Sequence, residues 1–215
     1  MKDQPTTPPV PPETGAAETG ATETGATKTG LPEMGLAEWT ALAILSQRPA
    51  HGFAVAQLTA ADGALGRVWQ IPKAVVYRAI GRLLEAGLIV PEGTERGLGP
   101  QRTVYAATET GHAAAGRWLY LPVEHVRQIR SELLLKLALL DRAARDPAAL
   151  LETQRLVLEP LVAAIESRRA DSAGFDAVLL AWRRATAVAA LDFLDAIGPP
   201  ASPGPRSGQA PPPPA

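Results

Sequence analysis

The sequence predicts a mostly α-helical fold with one small β-hairpin. Three observations carry this. Helical apolar periodicity covers most of residues 34–197; two short β-prone stretches flank a glycine-rich turn between Leu88 and Ala106; and both ends of the chain are low-complexity. With 215 residues and 46% apolar composition, the chain is long enough for one to two folded domains.

The elements follow in order. Residues 1–33 contain a degenerate repeat (ETGAA, ETGAT, ETGAT, KTG) with no aromatic residue, and such a segment buries too little surface to offset its ordering entropy. It is expected to be a disordered tail. Leu36 to Gln47 places Leu36, Trp39, Leu42, Ala43 and Leu45 at helical spacing, and Pro49 ends that helix. His51 to Thr59 reads as a second, short helix carrying Phe53, Val55, Ala56 and Leu58. Pro72 opens a third helix, where its missing N–H costs nothing. That helix runs through Val76, Ile80, Leu83 and Leu84 to Gly87, a C-cap glycine. Leu88–Val90 and Thr103–Ala106 are strand-like, with PEGTERGLGPQR between them. Glu109 to Leu119 is a fourth helix, capped by Thr108 or Thr110.

After Leu121–Pro122 the chain is helical throughout. Val123–Arg145 carries Val126, Ile129, Leu133, Leu137 and Leu140 and is apolar nearly all round. Pro147–Arg169 follows, with Asp146 as N-cap and a kink or break expected at Pro160. Phe175–Ile197 carries a stripe of Leu179, Trp182, Thr186, Ala190, Phe193 and Ile197. Three helices with stripes this wide expose too much apolar surface for a monomer, so residues 122–197 are expected to form a helical dimerisation domain. Leu133, Leu137, Leu179, Trp182 and Phe193 are its candidate contacts. Residues 198–215 are rich in Pro, Gly, Ala and Ser and are expected to be a second disordered tail.

Composition excludes several function classes. The chain has no cysteine, so disulfides, thiolate metal sites and a cysteine nucleophile are absent. Its three histidines, His51, His112 and His125, are too far apart to pair on one helix, and no metal site or cofactor is expected. No nucleophile–base pair or phosphate-binding glycine loop stands out, so the chain does not read as an enzyme. No apolar run approaches the ~18 residues of a membrane span, and a soluble, cytoplasmic protein is expected.

Three helices followed by a β-hairpin is the order of a winged helix, in which the third helix reads DNA and the hairpin is the wing. Charge agrees. From Arg67 to Arg82 there are four basic residues and no acid, whereas residues 120–197 hold 10 basic and 11 acidic residues. Residues 34–121 are therefore expected to be a winged-helix DNA-binding domain. Lys73, Tyr77 and Arg78 would project from the N-terminal half of the third helix. Arg82 would touch phosphate or serve structure, and Tyr77 would be a phosphate donor or a packed aromatic. Arg96 and Arg102 on the wing would reach DNA backbone or the minor groove. Trp39, Trp69, Trp118 and Trp182 read as core or interface anchors, with Trp118 and Trp182 also forming a candidate effector pocket. The competing reading is a dimeric protein-interaction module of the same fold that does not bind DNA.

The run Val75–Ile89 (VVYRAIGRLLEAGLI) resembles the recognition helix of PadR-family transcriptional regulators. So do His51-Gly52-Phe53 at the second helix, Arg102-Thr103-Val104-Tyr105 after the turn, and Thr108 to Gly111. Glu124 to Arg145 resembles the entry helix of the branch with the longer, Vir-type C-terminal domain. The resemblance implies a homodimer on double-stranded DNA, a repressor released by a small-molecule effector, and dimerisation through the C-terminal helices.

Overall fold

The computed structural model describes residues 30–95 and 101–198. The two tails, apart from residues 30–33 and 198, and the wing residue Arg96 lie outside these.

From residue 34 onward the chain begins with α1 (Leu36–Gln47), then β1 (Ala50–His51), α2 (Gly52–Thr59) and α3 (Lys73–Glu85). A hairpin of β2 (Ile89–Glu95) and β3 (Arg102–Ala107) follows, then α4 (Glu109–Tyr120). This is the winged-helix order. The sheet is antiparallel with strand order β1-β3-β2, so β3 is the central strand. Ala50 lies opposite Tyr105 and His51 opposite Val104; at the other edge Ile89 lies opposite Ala107 and Glu95 opposite Arg102. A two-residue strand gives no periodic signal, which is why β1 is absent from the sequence reading.

α1 is the central element. Trp39 and Ala41–Leu45 are all buried, because α1 packs against α3 on one side and α4 on another. Its burial is almost all round and not the single stripe that the sequence suggested. α3 buries Val76, Ala79, Ile80 and Leu83 and leaves Leu84 half-buried. It ends at Gly87, whose φ of 66° is left-handed. The Gly87 N–H bonds Leu84 O and the Leu88 N–H bonds Leu83 O, the Schellman pattern that closes a helix and turns the chain into β2. Thr108 is the cap of α4: its Oγ1 accepts from the Gly111 N–H at 3.0 Å.

The expected helix Val123–Arg145 is three pieces instead: a 3₁₀ turn (Val126–Gln128), a π-helical turn (Ile129–Leu133) and α5 (Leu134–Arg142). The π turn lies next to a buried polar cluster. Lys136 Nζ is fully buried, bonds Glu132 Oε1 and Leu121 O at 2.8 Å each, and sits 4.9 Å from the Trp118 ring. Trp118 donates its indole N–H to Glu132 at 3.2 Å and stacks on Trp39 at 5.5 Å. The cluster thus ties α4 and α1 to the π turn and α5. Two side chains extend the tie: Gln47 donates to Leu139 O, and buried Gln154 holds both the N–H and the C=O of Val123.

α6 (Ala148–Arg169) runs unbroken through Pro160, so of the expected kink or break the break does not occur. The hydrogen bond that Pro160 cannot make would go to Leu156 O; both residues are exposed, so the freed carbonyl lies on the solvent side of the helix. α7 (Gly174–Ile197) buries Leu180, Ala187, Ala190 and Leu194. The expected stripe is thus rotated. The pairs Arg184–Glu166 and Arg155–Asp195 run in opposite chain directions, so α6 and α7 pack antiparallel, and the residues at positions 180, 187 and 194 form the seam. Leu133 is fully buried within the protomer, which corrects its expected place among dimer contacts: the apolar helix is wrapped by its own chain. Leu137, Leu179 and Phe193 are half-buried, and Trp182 is exposed.

Candidate nucleic-acid interface

The interface is built from three segments far apart in sequence. Pro72 precedes α3 and its carbonyl accepts from the Val75 and Val76 N–H groups at 2.8 and 3.1 Å, starting the helix cleanly. With Val76, Ala79, Ile80 and Leu83 turned inward, Lys73, Tyr77 and Arg78 are left on the exposed side. α2 approaches this helix closely at Gly52, where a Cβ would meet Ile80 Cδ1 at 3.0 Å and Tyr77 Cε1 at 3.1 Å. A larger residue there would make the Ile80 and Tyr77 side chains give way by a few tenths of an ångström.

The next residue, Phe53, is half-buried and joins the patch. Lys73 Nζ lies 5.3 Å from the Phe53 ring and 5.9 Å from the Tyr77 ring, and the Arg102 guanidinium lies 4.5 Å above Phe53. One ring therefore holds a cation from the start of α3 and a cation from the wing strand, at distances typical of cation–π contacts. His51 caps α2 by accepting the Ala54 N–H on Nδ1 at 2.9 Å, which leaves Nε2 as the protonated ring nitrogen, 3.5 Å from Glu95 Oε2 on the wing. Gln101 reaches across the hairpin to Thr94 Oγ1 at 2.8 Å.

The six candidate DNA contacts thus separate. Lys73, Tyr77 and Arg102 come together around Phe53. Arg78 is exposed on α3 and lines a groove with Trp69, Val75 and Arg82. Arg82 is committed elsewhere: its guanidinium bonds Glu38 Oε1 at 2.8 Å, and Glu38 is buried in α1, so the pair clamps α1 to α3. Arg96 lies outside the described residues. Among the described residues Lys73, Arg78 and Arg102 have no ion pair, which leaves their charge available to phosphate. Phe53 is the member that the sequence reading missed, having counted it with the apolar residues of α2. Trp118 and Trp182 do not form a shared pocket: one is stacked and buried in the polar cluster, the other is exposed on α7.

Residues 41–117 match the model of the transcriptional regulator PadR-like family. The matched region runs from within α1 to within α4 and so takes in most of the winged helix. That family is described as one of transcriptional regulators. No curated protein matches the chain. Among solved structures, this chain is similar to Bacillus subtilis PadR in complex with operator DNA, at 17% identity and a TM-score of 0.40, covering 77% of this chain and 99% of that one. It is also similar to Bacillus subtilis PadR in complex with p-coumaric acid, at 15% identity and a TM-score of 0.33, covering 77% and 96%. A third is smu.1704 from Streptococcus mutans UA159, at 23% identity and a TM-score of 0.32, covering 38% and 71%. No helix among the described residues is long and apolar enough to cross a membrane.

Proposed function

We propose that this PadR-like chain is a cytoplasmic, homodimeric repressor that binds duplex operator DNA and releases it in response to a small molecule. The N-terminal half of α3 enters the major groove and the wing follows the backbone. The observation that carries the reading is the convergence of Lys73, Phe53, Tyr77 and Arg102 at the start of α3, beside an unpaired Arg78. The cations neutralise phosphates and release counterions; Arg78 reads a base edge or adds a phosphate contact. The chemistry is binding, with no catalytic step.

Dimerisation rests on a second surface. α7 exposes Phe175, Val178 and Trp182, spaced three and four residues apart on one face, and α6 exposes Leu156. A symmetric pair of such faces places two α3 helices for the two halves of a palindromic operator.

The test starts with selection of bound fragments from sheared genomic DNA, followed by affinity measured against salt. Arg78→Ala is expected to cost ~1–3 kcal/mol at one base position if it reads a base, or to lower the salt slope by about one if it meets phosphate. Lys73→Ala and Arg102→Ala are expected to weaken all sequences alike. Absence of salt-dependent DNA binding by the folded dimer would instead support the protein-interaction module.

A further inference from the structure

We propose that the cleft between α1, α4 and the turn from α5 to α6 binds a small polyanion. It deepens the ligand-responsive part of the reading above and rests on it. The cleft has a volume of about 700 Å³, within the range of small-molecule sites. Arg48, His112, Arg142 and Arg145 line it, and no acidic residue does. Among the described residues none of these three arginines has an ion-pair partner. The acids nearest in sequence, Asp141 and Asp146, do not line the cleft, and Asp146 accepts from the Ala148 N–H at the start of α6.

Three further features shape the cleft. Ser46 lines the cleft, and its Oγ is the one buried side-chain nitrogen or oxygen among the described residues that lacks a hydrogen-bond partner. Ala144, between Arg142 and Arg145, has a φ of 50° because it closes α5: its N–H bonds Asp141 O and the Arg145 N–H bonds Leu140 O, the pattern seen at Gly87, and this tight turn sets both arginines in the cleft wall. Gly116 stands in the cleft wall on α4, and a Cβ added there would meet nothing within 4 Å. A side chain at this position would therefore extend into the open space of the cleft. Three guanidiniums and an imidazole around one space match several negative charges, so a polycarboxylate or a phosphorylated compound fits the site better than a monoanion. The ligand would join the end of α1, which packs on α3, to the end of α5, and so bias the DNA-reading helix.

The test is calorimetric titration of the full chain with pyrophosphate and with citrate, without DNA. Saturable binding of either is expected; pyrophosphate alone assigns phosphoryl chemistry, citrate alone assigns polycarboxylate chemistry. Arg142→Gln combined with Arg145→Gln is expected to weaken that binding at least tenfold. Gly116→Leu fills the cleft and is expected to abolish it, with a melting temperature no lower than the parent and unchanged DNA affinity. Gly116→Ala serves as a milder second variant, expected to fold and to weaken binding. Lack of binding by both anions overturns the proposal while leaving DNA binding intact. So does binding that survives Gly116→Leu, or a DNA salt slope that falls when the two arginines are removed, since the cleft would then be a DNA contact.

Discussion

Replacing Lys136 by alanine is expected to lower the stability of the fold by about 3–5 kcal/mol, as found when one partner of a buried ion pair is removed. The lysine is fully buried, and its loss leaves the Glu132 carboxylate without its cation, the Leu121 carbonyl without its donor and a cavity under Trp118. Denaturant unfolding checks this. A double variant, Lys136→Met with Glu132→Gln, keeps the volume and an acceptor for the Trp118 N–H, and is expected to lose less than the single alanine variant. A cost below about 1 kcal/mol for Lys136→Ala would contradict the assignment, because that is the size of an exposed pair. The same group predicts a pH dependence. Burial pushes the Lys136 ammonium below its ordinary value of 10.5, opposed by the charge and hydrogen bond of Glu132. Between the lowered folded value and 10.5 the unfolded chain holds the proton more tightly, so this group's contribution to stability rises with pH. Below that window lysine is charged in both states and the cost of burying it is carried in full. The Lys136→Met chain is expected to lack the alkaline rise.

The second large effect concerns assembly. Trp182 is 68% exposed, with Phe175 at 77% and Val178 at 62% on the same face of α7, far more apolar surface than a solitary helix face carries without a partner. Trp182→Asp places an unpaired charge in the proposed interface, where burying a polar group costs roughly 2–7 kcal/mol. That weakens the dimer by roughly one to five powers of ten in Kd. Light scattering is expected to report half the mass, with helical circular dichroism retained because the side chain lies outside the protomer core. A variant that keeps the dimer mass would remove this face from the interface. Leu179 and Phe193, half-buried beside it, are the weaker probes, since charge there also disturbs the packing on α6.

Local signals made the winged helix readable: Pro72 before α3, Gly87 after it, and Thr108 before α4 each fix a boundary through one backbone requirement. The buried face of α3 follows from its spacing, because Val76, Ile80 and Leu83 leave one arrangement that covers them. Long-range partnerships left no such trace. Glu38 and Arg82 are 44 positions apart, and nothing in either helix marks the other as its counter-ion. Phe53 reads as one more apolar residue until β3 brings Arg102 over it. On α7 several apolar stripes are available, and only the packing of α6 selects Leu180, Ala187 and Leu194 over the stripe through Leu179 and Trp182. The π turn at Ile129–Leu133 is likewise invisible to periodicity, because it adjoins a lysine buried by tertiary contacts.

The central claim is that the start of α3 and the wing form one DNA-reading surface. Its most direct test is operator affinity against salt for the chain carrying Lys73→Gln, Arg78→Gln and Arg102→Gln together, with folding checked by circular dichroism. The account predicts an affinity loss of about a hundredfold or more, and a salt slope lower by about three if all three cations meet phosphate, or by about two if Arg78 reads a base. A folded triple variant that binds the operator with the parent affinity and the parent slope would contradict it and place the DNA-reading surface elsewhere.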